Sequence, residues 1–497
     1  MSQTVYGGCI NGIEGMIISV EIQIYNQLNK FTIGGLGDLA IQEAKERVYF
    51  ALTNQQFYFP KRGIAINLAP ALVRKGGSQL DLAIALSIVI ASKQCPLTDY
   101  SQSIFLGELG LSGEIRRVPG ILPMLLAAQQ AGLKSAYIPH ANSVEASLIA
   151  DQMIIYPMVT LADLHQLPSP LAPYQYAHDQ QSTDISIDFA DILGNVHAKR
   201  ALLIAAAGGH NILLTGPPGS GKSLLAKAFC SIVPRLTLPE LLTTTSIRSL
   251  HGEVVSKIET TRPFRSPHHT SSAHAIIGGG MIPRPGEITL AHRGTLFLDE
   301  LPEFQRCVLE SLREPLEERS ITISRAQSKA TFPADFQLLA AMNPCPCGYS
   351  GDSEKNCVCS EITKARYLRK LSGPFLDRID LFSHVPRLTT NELHLLIPSD
   401  SSIQLLAETE RAQAVQFQRQ STTNARLKVA LRTYAEDLLI ERSASSTLTK
   451  IRQQLHLSPR GYVRLLKVSR TIADLDQSTE VTLHHCEEAI SYRQLSA

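Results

Sequence analysis

The chain has 497 residues, of which 44% are hydrophobic and 19% are charged, a composition typical of a soluble globular protein with several domains. Its 47 basic and 45 acidic residues give a net charge of only +2, which excludes a general nucleic-acid coat and a polybasic membrane binder. The sequence shows neither a signal-peptide pattern nor an apolar run long enough to span a bilayer. We therefore expect a cytoplasmic protein with reduced thiols and no membrane contact.

The pattern along the chain predicts an α/β multidomain protein in three parts. Residues 1–167 alternate short apolar strands with helical stretches, and the Pro-, Gln- and Ser-rich residues 168–184 predict a linker. Residues 185–385 hold nearly all the recognisable chemistry. Residues 386–497 turn helical, with helices predicted near 404–420, 425–440, 443–455 and 459–474.

A phosphate-binding loop is the clearest signal. An apolar strand at 211–215 runs into Gly-x4-Gly-Lys-Ser and then into a helical pattern, and this order lets backbone N–H groups and a helix N-terminus surround the β-phosphate of ATP. We expect Lys222 to reach the β- and γ-phosphates and Ser223 to bind Mg²⁺. The loop consists of Gly216, Pro217, Pro218, Gly219, Ser220, Gly221, Lys222 and Ser223.

Two further strands end in polar residues suited to hydrolysis. The strand at 295–298 leads into Asp299 and Glu300. We expect Asp299 to hold Mg²⁺ and Glu300 to deprotonate the attacking water, a pairing that indicates an ATP hydrolase. The strand at 336–341 leads to Asn343, whose amide is suited to contact the γ-phosphate or the water.

The run from Phe264 to Phe304, together with AAMNPCPCG and LSGPFLDRIDL, closely resembles the magnesium-chelatase-like AAA+ proteins, and within them the ComM/YifB family. The resemblance covers essentially the whole chain. It implies a Lon-protease-like (S5-type α+β) N-terminal domain, an AAA+ P-loop α/β core with a parallel sheet and a helical C-terminal lid domain.

In function, the resemblance implies a hexameric ring, dependent on Mg²⁺ and ATP. Such a ring acts as a helicase on single-stranded or branched DNA, drives branch migration during natural transformation and works beside recombination proteins. A chelatase-type motor for metal insertion and a Lon-like unfoldase or protease remain alternatives.

The resemblance also implies roles for three polar residues. Asn343 matches the residue called sensor 1. Arg378 matches an arginine finger that reaches the γ-phosphate of a neighbouring subunit, the alternative being a salt-bridged surface arginine. Arg460 matches the sensor 2 arginine, and the sequence leaves open whether it acts in its own subunit or across the interface.

A Lon-type peptidase needs a serine nucleophile activated by a lysine, and both are missing here. In an alignment through Lys75, Gln79 stands at the nucleophile position and Ser78 lies one residue early. Leu122 lies in the segment expected to carry the lysine, and Lys134 falls beyond it. We therefore predict that residues 1–167 build the ring or dock a partner and cut no peptide bond.

The likeness to ring helicases suggests two insertions that face a central channel. One spans Thr261 to Pro285, and the other is a predicted β-hairpin at 320–331 whose alternating β-branched residues favour a strand pair. Six copies would add modest local charges into a strong grip on DNA phosphates. A plain solvated hairpin and a structural role for the histidine pair stay open. The candidate DNA contacts are Arg262, Arg265, His268, His269, Arg325 and Lys329.

Four cysteines lie within fifteen residues, as Cys345-x-Cys347 and Cys357-x-Cys359. Four thiolates suit tetrahedral zinc, although the usual spacing within a pair is two to four residues and here it is one. Structural zinc, free thiols and a redox pair all remain open. The scattered cysteines are predicted to be small core residues: Cys9, Cys95, Cys230, Cys307 and Cys486.

Overall fold

Two large β-sheets organise the computed structural model, one in the N-terminal third and one in the middle of the chain. The structure describes residues 3–26, 30–35, 39–71, 75–94, 97, 99–176, 187–280, 283–325, 328–352, 354–388, 400–429, 433–441 and 458–493. Cys95, residues 177–184 of the predicted linker and the helix predicted at 443–455 lie outside these ranges.

The strands are numbered β1 to β18 in chain order. They are Gln3–Asn11, Glu14–Tyr25, Phe31–Gly34, Gly63–Ala69, Ser103–Phe105, Glu108–Leu109, Ile115–Arg116, Ser135–Pro139, Ile154–Met158, Ile212–Thr215, Phe264–Arg265, Gly278–Gly279, Arg284–Pro285, Thr295–Leu298, Ser320–Arg325, Ser328–Pro333, Gln337–Met342 and Leu381–His384.

The α-helices are numbered α1 to α17 in the same way. They are Leu39–Asn54, Asp81–Ala91, Ile121–Gln130, Ser143–Ala146, Val196–Gly208, Lys222–Phe229, Leu238–His251, Ala273–Ile277, Glu287–Leu290, Arg306–Ser311, Arg313–Glu318, Glu361–Leu368, Gly373–Leu376, Ser402–Gln420, Tyr434–Asp437, Pro459–Leu475 and Leu483–Ser491.

The N-terminal sheet has seven strands in the order β3-β4-β2-β1-β5-β8-β9 and mixes antiparallel with parallel pairs. Alternate residues of its strands face opposite sides: Phe105 packs with α2, and Ile104 packs with α3. Such alternation is expected when a sheet is covered on both faces. The described residues of this third of the chain therefore form the α+β arrangement that the sequence predicts.

The predicted peptidase position holds no nucleophile. The Gln79 amide donates to the carbonyl of Gly76 at 2.7 Å, and the Ser78 hydroxyl bonds to Glu108. The Lys75 ammonium is buried and donates to the carbonyl of Gly35 at 2.7 Å, and Leu122 is fully buried in the apolar core. These contacts fit a structural role for the region, which remains a prediction.

The second sheet is parallel, with five strands in the order β11-β14-β17-β10-β18. β10 lies in the interior because Ile212 to Leu214 are apolar and fully buried, as expected for a strand covered on both faces. Ile212 and Leu214 face a core shared with α5, α6 and the C-terminal helices, whereas Leu213 faces the core beneath β15 and β16.

The C-terminal region is helical, and α14 and α16 pack against α5. The predictions for 404–420 and 459–474 are confirmed by α14 and α16. The helix predicted at 425–440 is wrong over the described part of that range, where the single turn Asn424–Arg426 is followed by irregular chain at 427–429 and the short α15 lies further on. The Asn424 amide donates to Asp474 at 2.8 Å and to Thr471 at 3.0 Å, and these tertiary bonds hold the segment against α16.

No helix within the described residues combines the length and the apolar content needed to cross a bilayer. Among the scattered cysteines, Cys9 and Cys486 are buried as predicted. Cys230 and Cys307 are exposed, so the prediction of core positions is wrong for these two; each lies at or near the end of a short helical segment, where the chain meets solvent.

Candidate nucleotide-binding and hydrolysis site

The phosphate loop connects the end of β10 at Thr215 to the start of α6 at Lys222. A side chain at Gly216 would place its β-carbon 2.1 Å from the carbonyl oxygen of Val385, so only glycine fits there. Gly221 adopts φ 91°, a conformation that glycine reaches without strain. β10 lies between β17 and β18, at the kind of crevice where parallel sheets bind nucleotides.

Lys222 joins this loop to the neighbouring strand. Its side chain is buried, and Nζ donates to the carbonyls of Gly216 at 2.7 Å and Pro217 at 2.8 Å and to Asn343 Oδ1 at 3.3 Å. Asn343 follows the end of β17 at Met342. The structure therefore brings the predicted lysine and the predicted sensor amide to one point.

The pair predicted to hold Mg²⁺ is also assembled. Ser223 Oγ donates to Asp299 Oδ2 at 2.7 Å, which places one hydroxyl and one carboxylate side by side. Both are oxygen ligands of the kind that Mg²⁺ binds. The observed donor set thus fits the cation that the sequence predicts.

Glu300 is the more exposed member of the acidic pair. Its side chain is 54% exposed, and Oε2 lies 3.1 Å from Nδ1 of His269. The rings of His268 and His269 are 4.2 Å apart, and His268 Nδ1 contacts the Thr270 hydroxyl at 2.8 Å. The histidine pair predicted to face DNA therefore lies beside Glu300, which His269 contacts directly, and the sequence alone does not reveal this position.

Burial lowers the pKa of Lys222 to about 8, and the nearby Asp299 opposes that shift. The ammonium is present below pH 8 and is lost as pH rises, so affinity for ATP is expected to fall by up to about tenfold per pH unit above pH 8. The dissociation constant of a non-hydrolysable ATP analogue, measured from pH 7 to 9.5, tests this expectation. Lys222→Arg keeps its charge throughout and should lose the pH dependence; constant affinity in the unmodified protein up to pH 9.5 would contradict it.

Arg378 and Arg460 meet at a single carboxylate, Glu317. Arg378 Nη2 lies 2.9 Å from Glu317 Oε2, and Arg460 Nη1 lies 3.2 Å from Glu317 Oε1. The Arg378 side chain is buried, whereas that of Arg460 is 70% exposed. Arg378 is therefore salt-bridged, as the alternative interpretation has it, but it is buried and not at the surface; it also donates to the carbonyl of Arg313 at 3.1 Å.

Both arginines lie at the opposite edge of the sheet from the phosphate loop. β18 begins three residues after Arg378 and runs parallel to β10, with Leu381 paired to Ile212. Arg378 therefore lies where these strands begin, whereas Gly216 to Ser223 lie where β10 ends. Neither arginine is placed to contact nucleotide in its own subunit.

Two of the six predicted DNA contacts are occupied by internal partners. Arg262 pairs with Glu240 at 3.0 and 3.3 Å, and Arg265 pairs with Glu287 at 2.7 and 2.8 Å. A carboxylate that accepts hydrogen bonds from two nitrogens of one guanidinium group fixes the orientation of that arginine side chain. These ion pairs hold Arg262 and Arg265 on the core of their own subunit, and contact of either residue with DNA stays a prediction.

The hairpin predicted at 320–331 is present as β15 and β16. One face packs on the core through Ile321, Ile323 and Phe332. The strands pair Arg325 with Ser328 and Ser324 with Lys329 beside the turn, and Lys329 is exposed. The position of the backbone places both basic residues at the free end of the hairpin.

The four clustered cysteines converge. Their sulfur atoms all lie within 4.8 Å of one another. Cys345 Sγ is 3.3 Å from Cys347 Sγ and 3.7 Å from Cys357 Sγ, and the distance between Cys347 Sγ and Cys357 Sγ is 3.6 Å. Zinc–sulfur bonds of about 2.3 Å in a tetrahedron give S···S edges of about 3.8 Å, whereas a disulfide needs about 2.05 Å.

The cysteine loop also contacts the phosphate loop, which the sequence does not reveal. A β-carbon at Gly348 would lie 2.7 Å from the Pro218 ring. Arg387 donates to the Pro218 carbonyl at 2.9 Å and to Glu354, inside the cysteine loop, at 3.3 Å. The segment that carries the thiols therefore supports one wall of the nucleotide site.

Known families match most of this chain. Residues 188–393 match the family described as magnesium chelatase, subunit ChlI, residues 399–493 match the C-terminal region of that subunit, and residues 20–142 match subunit ChlI of Mg-chelatase. The chain is 41% identical to Competence protein ComM of Haemophilus influenzae, over 99% of this chain and 97% of that protein.

Two further relatives are similar over nearly their whole length. Uncharacterized protein YifB of Escherichia coli is 40% identical over 97% of this chain and 95% of its own. An uncharacterized protein of Mycobacterium tuberculosis is 36% identical over 98% of each chain.

A phosphate loop beside an acidic pair on a five-stranded parallel sheet, with these matches, defines a magnesium-chelatase-like AAA+ ATPase. The chain belongs to the ComM/YifB family of these proteins. The N-terminal match is to a chelatase subunit, so the likeness of residues 1–167 to Lon protease stays a prediction.

Proposed function

We propose that the protein is an ATP-driven hexameric motor that promotes branch migration and the integration of incoming single-stranded DNA during natural transformation. The observation that carries the proposal is the assembly of Lys222, Ser223, Asp299 and Asn343 at the end of three neighbouring strands. Similarity over 99% of the chain to a competence protein supports the biological setting. There it would act in the cytoplasm, on single-stranded or branched DNA, beside recombination proteins.

Hydrolysis follows from the roles of the residues at this site. Lys222 and Asn343 hold the γ-phosphate, and Glu300 takes the proton of the water that attacks the γ-phosphorus as ADP leaves. Ser223 and Asp299 would hold Mg²⁺, which neutralises charge on the β- and γ-oxygens. His269, 3.1 Å from Glu300, orients the carboxylate.

Ring assembly is the arrangement that gives Arg378 and Arg460 a nucleotide to contact. Both lie at the edge of the sheet opposite their own phosphate loop. In a closed ring that edge can face the loop of the adjacent subunit, so each ATP would be bound by one protomer and contacted by the arginines of the next. The proposal therefore places both arginines in trans.

The hairpin β15–β16 supplies the proposed contact with DNA. Its apolar face is anchored in the core through Ile321, Ile323 and Phe332, which fixes the strands that carry the two basic residues. One hairpin carries little charge, but six around a channel would provide the salt-dependent attraction that phosphate contacts give. A chain with a net charge of +2 can bind DNA in this way.

The test is the ATPase rate with and without single-stranded and forked DNA. In Arg325→Ala/Lys329→Ala, stimulation by DNA is expected to disappear, a loss of several fold, while basal turnover survives because the proposed hydrolytic residues lie outside the hairpin. Lys61→Ala/Arg62→Ala removes equal charge from two exposed positions in the N-terminal third and should keep the stimulation. Basal and stimulated rates that fall together in the hairpin variant would overturn the assignment.

One alternative is a chelatase-type motor, which the matches to magnesium chelatase favour, and another is a Lon-like unfoldase. The same assay distinguishes both when protoporphyrin with Mg²⁺, or casein, replaces DNA. Stimulation by either in place of DNA would reject the DNA motor.

The proposal includes a structural zinc ion bound by Cys345, Cys347, Cys357 and Cys359. Sulfur separations of 3.3 to 3.7 Å match the edges of a zinc–thiolate tetrahedron. The zinc would fix the loop that contacts Pro218 and so hold the phosphate loop in shape.

A further inference from the structure

Four arginines surround two carboxylates in a cavity of about 110 Å³ where the core meets the C-terminal helices. Thr295, Gln337 and Asp380 line it near the points where β14, β17 and β18 begin. The cavity is therefore at the far edge of the sheet from the phosphate loop and is separate from the nucleotide site. Its charged walls are Arg262, Arg293, Arg319, Arg426, Glu240 and Asp335.

Asp335 is the centre of this cluster. Its oxygens lie 2.9 Å from Arg293 Nη1, 2.9 Å from Arg426 Nη2 and 3.9 Å from Arg319 Nε. Glu240 pairs with Arg262 at 3.0 Å and lies 3.8 Å from Arg293. One carboxylate thus serves three guanidinium groups, two from the core and one from the C-terminal region.

The charges in the cavity do not balance. Four guanidinium groups face two carboxylates, which leaves an excess of two positive charges. Asp380 and Arg464 at the rim neutralise each other at 2.7 Å. The neighbouring His292 adds no charge at neutral pH, because burial lowers its pKa to about 4. Partly buried cations without counter-charge are costly.

Two further features of the cavity concern the backbone of its arginines and their pKa values. Arg293 and Arg319 both adopt φ 59°, and Arg319 does so as the residue that ends the helix Arg313–Glu318, a position where the left-handed conformation is common. Burial lowers the pKa of Arg426 to about 10 and also lowers that of Arg319. An additional anion beside these two guanidinium groups would raise both pKa values again.

We propose that this cavity binds a small multivalent oxyanion, with orthophosphate as the simplest example. Planar guanidinium groups bind tetrahedral oxyanions through paired N–H donors. A cavity of about 110 Å³ is well below the roughly 300–1,000 Å³ of sites for drug-sized ligands, so it excludes a whole nucleotide. The anion would connect Arg319 of the core to Arg426 of the C-terminal region and hold the two together.

The test is calorimetric titration of orthophosphate into Lys222→Ala, in which the phosphate loop is disabled, at constant ionic strength. Binding is expected there and should weaken at least about tenfold when Arg319→Gln is added. This variant should fold, because Asp335 keeps Arg293 and Arg426 at 2.9 Å. Arg369→Gln removes an exposed arginine outside the cavity and should leave phosphate binding unchanged.

Three outcomes would overturn the proposal. They are no phosphate binding to Lys222→Ala, equal binding with and without Arg319→Gln, or displacement of phosphate by a short single-stranded oligonucleotide, which would assign the arginines to DNA. The first two outcomes leave ATP hydrolysis and its stimulation by DNA untouched, and the third would move these arginines from the anion site to the DNA contacts of the proposed motor.

Discussion

In Glu300→Gln, ATP turnover is expected to fall about 100-fold while ATP binding is retained. The amide keeps the size of the carboxylate and can still face His269, but it cannot take a proton from water, and a general base contributes roughly 10²–10⁴-fold. Binding depends on Lys222, Ser223 and Asn343, whose contacts do not involve Glu300. Steady-state phosphate release and the dissociation constant of ATP give the two quantities.

The matched control is Glu303→Gln, three residues along the chain. Glu303 is 44% exposed, against 54% for Glu300, and its carboxylate pairs with Lys370 at 3.0 Å. This change should leave turnover near the unmodified rate.

Light scattering of Glu300→Gln with ATP should also report a stable hexamer. ATP that is not hydrolysed keeps its γ-phosphate, which Arg378 of the next subunit can continue to contact. Unchanged turnover would reject Glu300 as the base, and a monomer under saturating ATP would reject the ring.

Loss of zinc is expected to have the second large effect. Cys347→Ser should bring the metal content from one zinc per chain to none and cost at least about 3 kcal/mol of folding free energy, which lowers Tm by roughly 6–12 °C for a domain of about 200 residues. ATP affinity should fall as well, because Gly348 and Arg387 connect the cysteine loop to Pro218. Elemental analysis, calorimetry and nucleotide titration measure the three changes.

Cys307→Ser is the control for that experiment. Cys307 is exposed and lies outside the cluster, so zinc content, Tm and affinity should all stay at their original values. Protein purified without zinc, with Cys347→Ser as stable as the parent, would contradict the metal site. If zinc is present and its loss leaves ATP affinity unchanged, the metal site stands and only the coupling between the cysteine loop and the phosphate loop is contradicted.

The nucleotide site is predictable from the sequence because its signals are local. Each functional residue comes at or soon after the end of an apolar strand: Asp299 directly follows β14, Asn343 directly follows β17, and Lys222 follows β10 across the phosphate loop. Parallel strands end at one edge, so residues at those ends must meet. The same reasoning does not place His269 beside Glu300 from the sequence, because the strand that precedes it, β11, is only two residues long and leaves no apolar run to recognise.

Pairings between distant charged residues could not be predicted. Arg262 pairs with Glu240, and Arg426 pairs with Asp335 from another region of the chain. A sequence does not distinguish an arginine that binds a carboxylate of its own chain from one that binds a phosphate of a ligand. Helix propensity failed at 425–440 for a related reason, because the buried bonds of Asn424 to Asp474 and Thr471 decide that path. Tertiary contacts override local preference there.

Glu317 has a consequence for how subunits associate. It holds Arg378 and Arg460 at 2.9 and 3.2 Å within a single chain, so it mimics the anion that these arginines would meet on an adjacent protomer. When two protomers associate, the two arginines would exchange the carboxylate of Glu317 for an anion of the adjacent protomer. The free energy gained in that exchange depends on how many negative charges the new anion carries. In the proposed ring, a γ-phosphate would carry more negative charge than Glu317 and would displace it from the two arginines, whereas ADP would offer them no γ-phosphate; the nucleotide bound to one protomer would then govern how tightly the next one attaches.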